Sequence, residues 1–283
     1  MESTEDLTKK IIDANVIYHS KLAETYDETQ PHFKKENVKQ VKSRLKKLSE
    51  LTEGKSLLDI GCGTGFILEL AYKYFDEVYG IDITPMMLEK AKEKISKNNL
   101  NNIQVKLANS ENIPFKDCYF DVVTAYGFLH HLPSLKPTLK ETFRILKKDG
   151  IFYSDQDPNY YFWESMKSIE KMDVPMALDI ERRSVCQMES EVQRVVGKDL
   201  DSETIKMAEY LKSLGGFKEE DIKDFLNSIG FKSINYEYTW YWQEGKVIND
   251  LSEEVAVYFE NHLRLALPIT RNFFKYVRIE ATK

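Results

Sequence analysis

The chain has 283 residues, 42% hydrophobic and 30% charged, with a formal net charge of −6. This is an ordinary globular composition, long enough for one large domain or a domain with an insertion. The acidic balance argues against a broad nucleic-acid footprint. No apolar run reaches the roughly 18 residues of a membrane span, and the polar start MESTEDLTKK is not a secretory signal. Cys62, Cys118 and Cys186 are widely spaced and form no CxxC pair or disulfide framework, which fits the reducing cytoplasm.

Residues 1–50 read as helical, with Leu7, Ile11, Ile12, Val16 and Ile17 at roughly helical spacing. The stretch Tyr18–Asp27 is richer in aromatic and hydrogen-bonding groups than a surface helix needs, and Pro31 breaks it. A second amphipathic helix over Asn37–Leu51 carries Val38, Val41, Leu45 and Leu48 on one stripe. The plain role for most of this region is packing on the sheet edge.

LLDIGCGTG, Leu57–Gly65, follows. An apolar run stopped by glycine reads as a buried parallel strand entering a tight turn. The helix expected over FILELAYKYF would point free N–H groups at a ligand lying over the glycines. Gly54-Lys55-Ser56 resembles the tail of a phosphate-binding P-loop. That motif needs a glycine at position 49, where Ser stands, and its Lys after the strand, not before it.

A second strand, Glu77–Ile83, contains Asp82. Thr84 and Pro85 then open a helix running to about Lys97. Strands follow over Ile103–Leu107 and Phe120–Ala125, a helix over Pro137–Leu146 and a fifth strand over Ile151–Ser154. Alternation at this spacing predicts a parallel, doubly wound sheet. From Pro158 to about Gly216 no strand is evident, and a helical insertion is expected, with Gly215-Gly216 as its exit hinge. Helices over Glu219–Ser228 and Leu251–Leu267 and strands over Phe231–Trp240 and Phe273–Thr282 complete the chain, the last two strands as an antiparallel pair.

An acid about twenty residues after Gly61 suits the two hydroxyls of a ribose, and Asp82 is that acid. The dinucleotide fingerprint is GxGxxG, but the glycines here are 61, 63 and 65 and position 66 is Phe. A GxGxG loop preceded by Asp59 suits a sulfonium nucleoside, with Asp59 helping to hold its ammonium group.

At these residues the chain resembles the class I S-adenosylmethionine (SAM)-dependent methyltransferases. The landmarks are LLDIGCGTG, VYGIDITPMMLEKAKEK, NSENIPF, FDVVTAYGFLHHL, LKKDGIFYSDQDPN and the late LNSIGF. They run continuously over residues 57–155 and look most like the small-molecule enzymes of ubiquinone/menaquinone biosynthesis and the sugar N-methyltransferases. The resemblance implies an α/β, Rossmann-like, doubly wound seven-stranded sheet with an antiparallel last strand, plus a helical lid. N-terminal helices (1–50) would cover the cofactor, residues 51–157 and 217–283 would form the core, and 158–216 the lid. It implies that Gly61, Cys62, Gly63 and Gly65 line the methionine moiety, that Asp82 binds ribose and Ile83 packs on adenine, and that Asn109 and Ser110 meet the adenine edge. Asn109 stands where the common pattern has Asp; its carbonyl can still accept a hydrogen bond. Tyr126 would border the methyl-transfer point, and Tyr18, His19 and Tyr26 would fold over the cofactor.

Methyl transfer is an in-line displacement on an activated donor, so alignment and exclusion of water dominate. A general base is needed only for a protonated acceptor. His130, His131, His19, Asp155 and Asp157 are the candidates, although His is frequent at this loop in the family without being a base. Asp155 and Asp157 end the fifth strand, where open sheets bind ligands, or else serve the turn before Pro158. Tyr160–Trp163, with Tyr161 and Trp163 facing a substrate, is read as a wall of the acceptor pocket in preference to insertion core. Arg182 and Arg183 are read as solvated; turned inward they would suit an acidic acceptor. Trp240–Trp242 is open between core and pocket. No cluster has clear metal-ligand spacing, and no metal is expected. The expectation is a cytoplasmic enzyme acting on a small molecule, without nucleic-acid or membrane partners. The alternatives are a protein or RNA methyltransferase and a non-catalytic SAM sensor or accessory subunit. The acceptor and the oligomeric state are not legible.

Overall fold

A computed structural model describes residues 3–169 and 200–283. Arg182, Arg183 and Cys186, singled out above, lie outside the described residues. Seven strands form one sheet: β1 (Ser56–Ile60), β2 (Glu77–Asp82), β3 (Ile103–Leu107), β4 (Phe120–Tyr126), β5 (Leu146–Pro158), β6 (Lys232–Tyr241) and β7 (Phe274–Thr282), in the order β3-β2-β1-β4-β5-β7-β6. The first five are parallel, and β7 lies antiparallel between β5 and β6. This is the predicted Rossmann-like arrangement with a reversed last strand.

β1 and β4 are buried along their whole length, as central strands covered on both faces must be. The two-residue period sorts their side chains. Leu57, Val122 and Tyr153 enter one core layer with Val41, Leu45 and Leu48 of α3 (Lys35–Leu51). Leu58, Val123 and Phe152 enter the other, with Leu139 of α6 (Leu135–Ile145).

The remaining helices are α1 (Thr4–Leu22), α2 (Tyr26–Thr29), α4 (Phe66–Ala71), α5 (Pro85–Lys97), α7 (Tyr160–Ile169), α8 (Ser202–Ala208), α9 (Tyr210–Ser213), α10 (Glu219–Ile229), α11 (Glu244–Asp250) and α12 (Glu253–Leu265). Two expectations need correction. α4 stops at Ala71, short of the ten-residue helix expected over FILELAYKYF. The helix expected over Leu251–Leu267 is α12, and Ser252 caps it by accepting the Val255 N–H at 3.2 Å. β5 is also far longer than Ile151–Ser154. It absorbs Asp149 and Gln156 at positive φ, and its pairing register shifts at both ends.

A partly buried ion network ties the last strands to α3. Arg278 on β7 pairs with Asp155 on β5 at 2.7 Å and with Glu237 on β6 at 3.1 Å. Arg44 on α3 pairs with Glu237 at 3.2 Å and with Glu280 at 2.9 Å. At the other end of the sheet, α1 packs with α8 and with Met87 of α5, burying Tyr18, Leu22 and Ile205. Among the described residues no helix is long and apolar enough to cross a membrane.

Candidate active site

The chain leaves β1 through a turn closed by the Gly61 and Cys62 N–H groups, which both donate to the Ile81 carbonyl at 2.8 and 3.0 Å. Gly61 has φ +69°, and a Cβ there would stand 2.1 Å from the Phe128 ring. Gly63 has φ +50°, and a Cβ there would meet nothing within 4 Å, so its bare backbone faces open space. Asp82, at the end of β2, holds the loop: its Oδ2 accepts the Gly63 N–H at 2.9 Å and its Oδ1 the Thr84 N–H at 2.8 Å. A carboxylate has about four acceptor sites, so lone pairs remain for a pair of hydroxyls. Asp59 is 2% exposed, and its Oδ1 accepts from Thr124 Oγ1 at 2.6 Å. Burial pushes its pKa up to about 8.

Two clefts meet over this loop. The first, about 760 Å³ and open to solvent, is lined by Asp82, Ile83, Asn109, Ser110 and apolar Ile81 and Leu132. The second, about 1960 Å³, reaches Asp59, Cys62, His130, Trp163 and Glu209. Gly61, Gly63, Tyr126, His19, Tyr26 and His131 border both, while Tyr18 borders the second. A slot of apolar residues with the Asp82 and Glu111 carboxylates, beside a loop of uncovered backbone, fits an adenosine and its attached amino acid. Asn109 uses its Oδ1 to accept the Glu111 N–H at 2.9 Å, closing a local turn that leaves one carbonyl lone pair. Ser110 is tied to Thr138 at 2.8 Å. Gly65 lies behind the loop, at φ +89°, as the N-cap of α4.

The N-terminal region is pinned over the loop. Asp27 accepts from Thr64 Oγ1 at 2.5 Å and pairs with Lys94 at 2.5 Å. His32 contacts the rings of Tyr26, Phe66 and Tyr126 at centroid distances of 5.6, 5.0 and 5.9 Å. Burial lowers its pKa to about 4, so it is neutral near pH 7. The Tyr126 hydroxyl exchanges hydrogen bonds with the Asn37 amide at 2.8 and 3.0 Å. Asn37 and His32 were missed in the sequence, since each lies on an element read as sheet-edge packing.

The remaining candidates separate. His130 Nδ1 lies 2.9 Å from Asp157 Oδ1, and His131 Nδ1 lies 2.6 Å from the Ala208 carbonyl. Burial lowers both imidazole pKa values, that of His130 to about 4. Asp157 is fully buried and accepts from Ser154 Oγ at 2.6 Å, so it positions His130 and does not face a cleft. Asp155, expected to face substrate, is 1% exposed and holds Arg278 and the Tyr153 hydroxyl at 2.7 Å each. Its place is in the ion network. Tyr161 is also turned away: its hydroxyl donates to Glu220 at 2.5 Å, and its ring lies 3.4 Å from the Arg271 guanidinium. Trp163 does border the second cleft, beside Lys212. The cluster at Trp240–Trp242 borders neither cleft. The P-loop look-alike is structural: Lys55 donates to the Ser49 and Thr52 carbonyls, and Ser56 Oγ donates to Asp121 at 2.5 Å. Glu209 and Lys212, paired at 2.8 Å beside the histidines, carried no sequence signal, because they lie far along the chain from every motif.

Residues 58–154 match the family described as "Methyltransferase domain". The chain is 38% identical over 136 residues to an uncharacterized protein of Methanocaldococcus jannaschii, covering 48% of each chain. It is 28% identical over 218 residues to the demethylmenaquinone methyltransferase of Staphylococcus saprophyticus, covering 75% of this chain and 91% of that one. The chain spans about half the length of the first curated relatives it matches, 48% and 46%. The crystal structure of a SAM-dependent methyltransferase from Archaeoglobus fulgidus superposes with a TM-score of 0.51 at 20% identity, over 87% of this chain and 94% of that chain. Residues 58–154 are therefore a methyltransferase domain, built on the Rossmann-like sheet of the class I SAM-dependent methyltransferases.

Proposed function

We propose that this protein transfers a methyl group from SAM to a small-molecule acceptor. The observation carrying the proposal is the open face of Gly63 beside Asp82, placed where the two clefts join. Bound SAM would supply a methyl carbon already activated on a sulfonium. The chain's own residues then have to hold, align and dry the site. Asp82 accepts from the ribose hydroxyls, Ile83 and Leu132 flank the adenine, and Asn109 and Ser110 border its edge. Asp59 lies beneath the loop, where an ammonium group would favour its ionised form. Tyr126, locked by Asn37, forms the border between donor and acceptor. The second cleft takes the acceptor, with Trp163 as a flat wall and His130 and His131 as neutral imidazoles beside it. The N-terminal cap closed by Asp27 excludes water.

The match to a demethylmenaquinone methyltransferase and the aromatic wall make a hydroxylated ring one acceptor class to test, beside amines and thiols. Calorimetric titration with SAM and S-adenosylhomocysteine, followed by mass spectrometry of an acceptor panel, tests the reading. Micromolar binding and a one-methyl mass increment on one acceptor are expected. Folded protein that gives no heat with either ligand at high micromolar concentration overturns it.

A further inference from the structure

The acceptor side holds a group of electron-pair donors that methyl transfer alone does not call for. One ring nitrogen each of His130 and His131 and a carboxylate oxygen of Glu209 lie within 4.8 Å of one another. Spacing along the chain could not reveal this set, because Glu209 lies far along the chain from the two histidines.

The hydrogen bonds around the rings fix their tautomers. His131 Nδ1 faces the Ala208 carbonyl, which has no proton to give, so Nδ1 carries the hydrogen. His130 Nδ1 faces Asp157 Oδ1, which also accepts the His130 backbone N–H at 3.2 Å, while Asp157 Oδ2 accepts from Ser154. That carboxylate acts as acceptor throughout, and His130 too keeps its hydrogen on Nδ1. Both rings are left with the lone pair on Nε2. Pinning one ring N–H on a carboxylate or a backbone carbonyl is how proteins orient metal-binding histidines.

A second observation is electrostatic. His130 Nε2 stands 3.7 Å from Glu209 Oε2, beyond hydrogen-bond reach, so two lone-pair bearers face each other with no proton between them. The Lys212 ammonium, 2.8 Å from the same oxygen, and the Tyr18 hydroxyl also bind Glu209, and neither lies between it and the imidazole. A cation between the carboxylate and the imidazoles would resolve the repulsion.

We propose that His130, His131 and Glu209 form a binding site for a divalent transition-metal ion whose open position faces the acceptor cleft. Two imidazoles and one carboxylate suit zinc or ferrous iron and leave room for a further ligand. The open position would take an oxygen or sulfur atom of the acceptor and orient it toward the methyl donor. This narrows the acceptor to hydroxyl, enol or thiol compounds, and the narrowing rests on the methyltransferase reading above. Metal binding itself does not.

Metal-stripped full-length protein titrated with zinc chloride should bind one ion. Glu209→Gln and His131→Asn should each weaken zinc binding at least tenfold, and Asp157→Asn about ten- to a hundredfold. Absence of one-to-one zinc binding, or binding unchanged in both Glu209→Gln and His131→Asn, overturns the proposal. Should the variants fail to fold by near-ultraviolet circular dichroism, cobalt(II) loading of the unaltered protein decides. An intense visible spectrum of a low-coordinate site supports the proposal, and the pale spectrum of the hydrated ion overturns it. S-adenosylhomocysteine titrated separately keeps the two readings distinguishable. Zinc binding without nucleoside binding removes methyl transfer, and the reverse removes the metal.

Discussion

Asp82 and Asp59 carry the same charge, and their surroundings give them different tasks. Asp82 is half-exposed and fixes the glycine loop through two backbone N–H groups. Removing it leaves those donors unpaired and strips the cleft of the carboxylate beside the loop. Charge-assisted hydrogen bonds contribute about 1.5–3 kcal/mol each, so Asp82→Ala should lower S-adenosylhomocysteine affinity at least tenfold by calorimetry. Asp59 is buried, with its pKa raised from 3.8 to about 8. Because the folded state holds this proton more tightly than the unfolded chain, its contribution to stability is complete below about pH 4 and fades as pH rises toward 8. An ammonium ligand favours the ionised form, so binding below pH 8 should release a proton. Affinity should then climb between pH 6 and 8 and level off above. Titrations in buffers of different ionisation enthalpy will read the proton, and Asp59→Asn should abolish the release.

The loop as an element depends on its backbone. At Gly61 the positive φ and the Phe128 ring 2.1 Å from a virtual Cβ act together, and Gly61→Ala should cost about 1–3 kcal/mol, seen as a lower Tm. How much could be read beforehand depends on where the determinants lie. β1 and β4 are continuous apolar runs, and Gly61 and Asp82 sit at their spaced positions, so the fold and the cofactor side were legible. The long β5 was not, because its register shifts place Asp149 and Gln156 in turn-like φ while pairing continues on either side. Asp155 was misplaced because its partner Arg278 is more than a hundred residues away. Glu209 was invisible for the same reason, since side chains that meet from distant parts of the chain leave no local pattern.

Taken as a whole, the molecule is tied at its far edge by charges. Arg278 links β5, β6 and β7, and Arg44 links β6 and β7 to α3. Truncating one partner leaves Asp155 charged and buried, so Arg278→Ala should destabilise the protein by about 3–5 kcal/mol, a loss readable by urea unfolding. The opposite edge is tied differently. Asp27 joins α2 to Thr64 of the loop and to Lys94 of α5. Both bonds run between parts of the protein, so losing them lowers the barrier to opening without removing a group proposed to hold the nucleoside. Asp27→Ala should therefore speed nucleoside entry and exit by the same factor, about fivefold for a contact of about 1 kcal/mol, and leave the dissociation constant unchanged in stopped-flow measurements. The N-terminal cap would then act as a clock on residence, setting how long a bound nucleoside stays and not how tightly it is held.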